Sequence, residues 1–207
     1  MFRNRLDAAE QLVRRLSYLK GHDPLILAIP RGAVPMGRLI ADALEGDLDV
    51  VLVRKVGAPG NPEYAIGAVS ENGDVVLEET AQHFRQEAVN RETEQQRELL
   101  EERRQRYTPV RAPIDPEGRT VVVVDDGSAT GATMSAALAT LKSRGPSMLI
   151  AAMGAAPPDT VARLERLADE VICLESPRDF RAVGQFFADF EQVEDEEVIK
   201  LLGSEHG

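Results

Sequence analysis

Two adjacent acids, Asp125 and Asp126, directly follow a run of valines and precede a loop of small residues and hydroxyls. Paired carboxylates accept hydrogen bonds from hydroxyl groups. The small residues of 127–133 would let an anion approach several backbone amides where the next helix begins. Because carboxylates repel a phosphate, the two parts of the stretch must face different chemical groups. A sugar phosphate carries both groups, so this class of ligand fits the whole stretch.

The same acids also have a purely structural explanation. A strand that ends in acids before a turn is common, and Asp or Ser side chains often cap the helix that follows. A bare Asp-Asp-Gly would be explained in this way, but the fixed order of apolar strand, acids and Thr-Gly-Ala-Thr favours a ligand site. The stretch is not a P-loop, since no lysine follows its last glycine, and it lacks the G-x-G-x-x-G turn of dinucleotide sites.

Short apolar runs alternate with helical patterns along most of the chain, and such runs are typical of strands covered on both faces. The predicted strands lie at 24–29, 49–53, 120–124, 148–153 and 170–174. The predicted helices begin near a capping Asp7 and then cover 36–44, 80–106, 133–144 and 159–168. Asn72-Gly73 predicts a hairpin between two further apolar segments. The order predicts a single α/β domain over 1–207, with a mainly parallel central sheet, helices on both faces and a small hood or flexible hairpin region.

Composition limits the classes of partner and the compartment. The 207 residues carry a formal net charge of −11, which disfavours nucleic acid as a partner. No apolar run approaches a membrane span, and the first residues lack the apolar region of a signal peptide. The lone cysteine, Cys173, is expected in the core, and His22, His83 and His206 share no spacing that indicates a site. These features predict a cytoplasmic protein without nucleic-acid or membrane partners.

Residues 121–133 closely resemble the ribose-phosphate signature of the type I phosphoribosyltransferases, and the order of elements from 25 to 174 also follows that fold. The resemblance implies that Asp125 and Asp126 hold the ribose 2- and 3-hydroxyls of phosphoribosyl pyrophosphate (PRPP). It also implies a loop that binds the 5-phosphate, formed by Ser128, Ala129, Thr130, Gly131, Ala132 and Thr133. Ser128 is a departure, since the family more often has an apolar residue there. It leaves phosphate binding intact and is expected to change how the loop packs.

The Pro-Arg-Gly stretch 30–32 follows the first core strand and resembles the family's pyrophosphate loop. Arg31 would neutralise the leaving diphosphate, and Gly32 would let backbone amides approach it. Relatives commonly have a cis peptide in this loop, and the matching bond here joins Pro30 to Arg31. Taken alone, Pro-Arg-Gly is an ordinary turn.

Arg54 and Lys55 resemble the Arg-Lys segment that opens the mobile catalytic loop of adenine- and orotate-type members. Two adjacent cations at the end of a buried strand would need an anionic partner. A pair that simply faces solvent is the alternative. The match breaks at Ala58, near the place where relatives have another lysine.

The resemblance implies a Mg²⁺-dependent phosphoribosyltransferase in which PRPP carries the Mg²⁺, with Asp125, Asp126 and Lys55 in catalytic roles. Pyrophosphate would leave the anomeric carbon and a nucleobase-like small molecule would accept the ribosyl phosphate. Phe180 weakly matches the position that stacks the base in hypoxanthine–guanine members. The alternative for that segment is an amphipathic helix that packs Phe186, Phe187 and Phe190 into the core. The identity of the acceptor stays open.

Two other functions are compatible with the same residues. One is a regulator that senses PRPP and has lost transfer activity, and the other is an enzyme of the same fold with an acceptor that is not a base. The charged pattern 80–106 is typical of a solvated helix face. Its alternative is a lid or a homodimer contact.

Overall fold

The computed structural model describes residues 1–203, apart from the side chain of Glu63. Its eight strands are β1 Leu25–Ala28, β2 Asp47–Val50, β3 Val53–Ala58, β4 Asn61–Ser70, β5 Val75–Leu77, β6 Thr120–Gly127, β7 Met148–Ala155 and β8 Glu170–Glu175. Its six α-helices are α1 Arg5–Leu16, α2 Val34–Leu44, α3 Gln86–Tyr107, α4 Ala132–Lys142, α5 Pro158–Leu164 and α6 Asp195–Gly203. The main sheet has the order β2-β1-β6-β7-β8 with parallel pairing throughout, and β3-β4-β5 form a separate antiparallel sheet.

Alternate residues of the central strands enter two separate hydrophobic cores. Leu25 and Val121 pack with α4 and α5, whereas Ile26 and Val122 pack with α1, α2 and α6 on the other face. Because successive side chains of a strand point to opposite faces, near-continuous apolar strands require helices on both sides. The structure therefore confirms the predicted α/β fold class.

The register of the main sheet brings two loops together. Ala28 of β1 pairs with Val124 of β6, and the amide of Ile29 donates to the carbonyl of Val124 (2.9 Å). The residues that follow each pair are 30–32 on one strand and the two acids on the other. Both loops therefore leave the sheet side by side at its carboxyl edge, where ligands bind in open parallel sheets.

The apolar run 49–53 was predicted as one buried strand, and this prediction is wrong. β2 ends at Val50 and the chain then enters the second sheet at Val53. An apolar run carries no signal for the point where a chain passes from one sheet to another. Arg54 and Lys55 consequently lie inside β3 and not at the end of a core strand. The hairpin at Asn72-Gly73 is confirmed, with Gly73 at φ 82° between β4 and β5.

Two helix starts differ from the predictions. The cap of α1 is Asn4, whose side chain accepts from the amide of Asp7 (3.0 Å), so the predicted cap lies inside the first turn. Asn and Asp cap equally well, and the sequence offers both. The charged helix begins at Gln86 because Phe84 and Arg85 are extended after a 3-10 turn. No helix within 1–203 is both long enough and apolar enough to span a membrane.

The C-terminal aromatic segment is not the amphipathic helix that was considered. It contains one short 3-10 turn, Val183–Phe186, and then runs extended past Phe187. Phe2 donates its amide to Phe186 (2.7 Å) and accepts from Ala188 (2.9 Å), which joins the two terminal segments. Tertiary pairing with the first residues therefore overrides the helical spacing of the aromatic residues.

Candidate active site

The two acids end β6 at the carboxyl edge of the main sheet. Asp125 is partly buried and its carboxylate accepts from the amide of Asp126 (2.9 Å), whereas Asp126 is 9% exposed. Burial raises the pKa of Asp125 well above its usual range, and the adjacent charge of Asp126 raises it further. Burial also raises the pKa of Asp126, although the hydrogen bond and charge of Arg5 act in the opposite direction. The site thus holds two acceptors whose ionised forms need a compensating partner.

Arg5, the first residue of α1, is that partner for Asp126. Its Nε lies 2.7 Å from Asp126 Oδ2, and both side chains are 13% exposed. Its Nη1 donates to the carbonyl of Glu191, and its guanidinium lies 3.9 Å from the centre of the Phe190 ring. Sequence reasoning missed Arg5, because Arg5 and Asp126 are 121 positions apart and an arginine in an amphipathic helix gives no local signal. It also missed Glu191 for the same reason.

The loop 30–32 contacts the acids directly. The Pro30–Arg31 peptide bond is cis, in agreement with the expectation from the resemblance. A Cβ built on Gly32 would lie only 2.5 Å from Asp126 Oδ2, so only glycine fits this position without displacing the acid. Within residues 1–203, no acceptor is found for the amides of Arg31 and Gly32. The Arg31 guanidinium is paired with Glu194 (3.3 Å), a residue that sequence reasoning did not identify.

The loop between β6 and α4 presents amides without partners. Among the described residues, the amides of Ala129, Thr130 and Thr133 have no acceptor. The loop is held from the other side, since the carbonyl of Ala129 accepts from Thr160 Oγ1 (3.1 Å) and that of Thr130 accepts from Arg163. With carbonyls engaged by α5 and amides unengaged at a helix N-terminus, the loop has the electrostatics of an anion site.

Two residues shape this loop. Gly131 has φ 64°, and a Cβ there would meet Thr160 at 2.7 Å, so both its backbone conformation and its space favour glycine. The hydroxyl of Ser128 accepts from the amide of Gly131 (2.8 Å). Ser128 therefore closes the turn through a hydrogen bond that an apolar side chain could not make. Ala132 begins α4 directly after them.

The two cations of β3 point in different directions, as neighbours on a strand do. Arg54 Nε donates to Gln96 Oε1 of α3 (2.7 Å). Lys55 lines a cavity of about 460 Å³ between the second sheet and α4, together with Thr130 and Arg163. The structure thus associates Lys55 with the loop that follows β6 and associates Arg54 with the long charged helix.

The aromatic residues of the C-terminal segment form two groups. Phe180 contacts Phe186, with ring centres 5.1 Å apart, and is partly buried. Phe187 stacks on Phe190 (5.0 Å), whose ring carries Arg5. Phe190 is thus linked to the acids through Arg5, and sequence reasoning had placed it only as a core residue.

The remaining candidate groups lie outside this arrangement. Within residues 1–203, no set of three or more His, Cys, Asp or Glu side chains is arranged to hold a metal ion. His22 and His83 are exposed, and His206 lies outside the described residues. Cys173 is partly buried on edge strand β8, where burial raises the pKa of its thiol to about 11. It packs against the margin of the core instead of lying fully inside it.

Comparisons with known proteins identify the family of the chain. The phosphoribosyl transferase domain model matches residues 3–191. Two Mycobacterium tuberculosis proteins, each named "Putative phosphoribosyl transferase" (strains CDC 1551 / Oshkosh and ATCC 25618 / H37Rv), are 40% identical over 209 residues. The match covers 100% of this chain and 47% of each relative, so the chain spans about half the length of these relatives.

A solved structure covers nearly the whole fold. The crystal structure of TT1426 from Thermus thermophilus is 45% identical, with a TM-score of 0.91 over 98% of this chain and 97% of that chain. Both the family model and this structure extend across the main sheet, the acids and the loops around them. The chain therefore belongs to the phosphoribosyl transferase domain family.

Proposed function

We propose that the chain is a Mg²⁺-dependent phosphoribosyltransferase that uses PRPP and passes the ribosyl phosphate to a nucleobase-like acceptor. The observation that carries the proposal is the contact between Gly32 and Asp126, since it joins a loop suited to a diphosphate with a carboxylate suited to a ribose. We also propose that residues 1–207 form one domain, because Arg5 and Glu194 reach this site from distant parts of the chain.

The sugar phosphate would bind across the end of β6 and the loop after it. Asp125 and Asp126 would accept hydrogen bonds from the 2- and 3-hydroxyls of the ribose. The 5-phosphate would lie over 129–133, where unpartnered amides and the hydroxyls of Thr130 and Thr133 can donate to it. Each ligand group then meets protein groups of complementary charge.

The diphosphate would bind at 30–32. The amides of Arg31 and Gly32 would donate to its oxygens, and Arg31 would supply positive charge. Lys55 would supply positive charge from the cavity that it shares with Thr130, with Arg54 as a further candidate. As the bond from the anomeric carbon breaks, its electron pair leaves with the diphosphate, and a lone pair of the acceptor forms the new bond. Donors that are already oriented toward the leaving oxygens stabilise the developing charge.

The donor set at this site is compatible with Mg²⁺. Asp125 and Asp126 offer hard carboxylate oxygens at the end of β6, and Mg²⁺ prefers one or two such ligands together with waters and ligand phosphates. When bound, the ion would neutralise charge on the diphosphate. For the acceptor, Phe180 is the proposed stacking residue, and its contact with Phe186 would hold the ring in place.

The proposal is tested by incubating the protein with PRPP, Mg²⁺ and a panel of nucleobases while pyrophosphate release is measured. We expect release with at least one base and none when the base is omitted. A matched sample without Mg²⁺ should release none. Tight binding of PRPP without release for any acceptor would contradict the transferase.

A PRPP-sensing protein without transfer activity is the second candidate. It is favoured by the pairing of Arg31 with Glu194, because a binding protein needs only an exchange of ion pairs when its ligand arrives. Glu194→Gln separates the two functions. In a transferase, freeing Arg31 should change the rate of pyrophosphate release, whereas in a sensor it should change the affinity for PRPP with no release at any base concentration.

A further inference from the structure

Arg5 has an unused donor beside the loop 30–32. Its Nε is bound to Asp126 and its Nη1 to the carbonyl of Glu191. No partner is found for Nη2 within residues 1–203, although a Cβ on Gly32 would lie 3.2 Å from this nitrogen. The side chain is held on three sides, by Asp126, Glu191 and the Phe190 ring, and its fourth side faces the loop.

The same geometry poses an electrostatic problem for the proposed ligand. Asp126 Oδ2 lies so close to Gly32 that a diphosphate at 30–32 would approach a carboxylate. Two anions at such a distance in a partly buried site repel each other strongly. The Arg31 side chain does not lie between them, since it is directed to Glu194. Arg5 is the cation in contact with both the acid and the loop.

We propose that Arg5 is a diphosphate-binding residue that allows a ribose-binding carboxylate and the leaving diphosphate to share one site. Nε neutralises Asp126, and Nη2 donates to a diphosphate oxygen. A planar guanidinium can serve both anions at once and stack on Phe190, which a lysine ammonium cannot do. The inference rests on the proposed function and adds a residue from the N-terminal helix to it.

The test compares two halves of the substrate separately, by calorimetry on the full chain with Mg²⁺ present. Pyrophosphate reports on 30–32, and ribose 5-phosphate reports on the acids and the loop 129–133. In Arg5→Gln, affinity for pyrophosphate should fall by at least about tenfold, since a charge-assisted hydrogen bond is lost. Affinity for ribose 5-phosphate should fall less than affinity for pyrophosphate, because Arg5 acts on the ribose only through the charge of Asp126.

Three further variants control for charge and packing. Arg3→Gln removes the same charge from a side chain that is 78% exposed and pairs with Asp7, and it should bind both probes normally. Arg5→Lys should recover only part of the pyrophosphate affinity. Phe190→Leu removes the ring that helps to hold Arg5 but keeps the cation, so its loss of pyrophosphate affinity should be smaller than that of Arg5→Gln.

The outcomes separate this inference from the proposed function. If the unaltered protein binds neither probe, both fail. If the unaltered protein binds both probes and Arg5→Gln weakens the binding of both equally, then Arg5 only supports the fold and the inference is overturned. The same conclusion follows if Phe190→Leu loses as much affinity for pyrophosphate as Arg5→Gln does. Unchanged pyrophosphate affinity in Arg5→Gln also overturns it, while the proposed function stands.

Discussion

The protein contains two Asp–Arg pairs of similar burial that are completed in different ways. Arg104 of α3 binds Asp49 of β2 through two parallel hydrogen bonds of 3.0 Å, and the second carboxylate oxygen also accepts from the amide of Ile114 (3.0 Å). Arg5 binds Asp126 through one hydrogen bond of 2.7 Å, and its Nη2 has no partner within residues 1–203. We call the first pair closed, because both oxygens of Asp49 are bound within the fold. We call the second pair open, because Arg5 retains a donor beside the loop 30–32.

This difference teaches which buried charges indicate a ligand. Burial and pairing are common to both pairs, so neither property identifies a site. Both carboxylate oxygens of Asp49 are hydrogen-bonded within the fold, where the pair fastens α3 to the main sheet. Arg104 Nε faces the carboxylate of Glu71 at 3.2 Å in an ion pair without a hydrogen bond. The Asp126 pair adjoins a glycine and amides without acceptors among the described residues. Backbone amides without acceptors beside a buried charge therefore distinguish the candidate site from the structural pair.

The largest effect is expected where the closed pair is broken. Arg104→Met leaves Asp49 charged and 2% exposed without its partner, so the free energy of unfolding should fall by roughly 3–5 kcal/mol. The matched control is Arg106→Met on the same helix, since Arg106 is 65% exposed and its pair with Asp195 should contribute less than about 1 kcal/mol. Urea unfolding measures both variants. Equal losses would remove the distinction between a closed pair and a surface pair.

The closed pair also predicts a dependence of stability on pH. Burial raises the pKa of Glu71, whose carboxylate lies 3.2 Å from Arg104 Nε, from the usual 4.5 to about 7. A raised pKa means that the folded state favours the protonated acid, so the contribution of Glu71 is full below pH 4.5 and is lost as the pH rises through about 7. The free energy of unfolding of Glu71→Gln should therefore increase relative to that of the unaltered protein as the pH rises, by roughly 3 kcal/mol at pH 8. A constant difference between pH 5 and pH 8 in urea unfolding would contradict this.

At the open pair, we expect substitution of the acids to lower the affinity for PRPP. Asp125→Asn together with Asp126→Asn keeps the shape and removes the anionic acceptors, so affinity for PRPP should fall by roughly 1–3 kcal/mol. The fold should survive, since the substitutions bury no new charge and leave the central strands unaltered. Calorimetry with Mg²⁺ measures the affinity, and unfolding curves supply the control. Unchanged binding in the double variant would show that the acids are as structural as Asp49.

The smallest effect on PRPP binding is expected for the two adjacent cations of β3, Lys55 and Arg54. Lys55→Gln should weaken PRPP binding about three- to tenfold, because it removes a cation from the cavity shared with Thr130. Arg54→Gln should change it less than about twofold, since Arg54 is bound to Gln96 on the other side of the strand. The two variants carry the same change of charge and are read in one calorimetric series. A larger effect from Arg54 would reverse their assignment.

The features predicted from the sequence are those contained in short contiguous stretches. The strand, acids and small-residue loop of 120–133 form one uninterrupted segment, and their local pattern specifies the strand, the loop and the helix that follows. The same holds for the turn at Asn72-Gly73. The parallel pairing of the main sheet was likewise predicted, because strands and helices alternate along the chain.

The features that were missed depend on contacts between distant segments. Arg5 and Asp126 are 121 positions apart, and Arg31 and Glu194 are 163 apart. The spacing of Phe186, Phe187 and Phe190 suits a helix, yet pairing with Phe2 keeps this segment extended. Local propensity is a weak guide where tertiary pairing decides the conformation.

The pairing of Phe2 with Phe186 and Ala188 also joins two segments that are synthesised at very different times. During translation, Arg5 is made before the main sheet and both ligand loops. Phe190 and Glu191, which hold its guanidinium, leave the ribosome only after them. Until those residues emerge, the nascent chain carries two buried acids whose cation is not yet fixed in place. Helix α1 is therefore translated before the other helices and strands of this fold, and its contribution to the site is among the last to be completed.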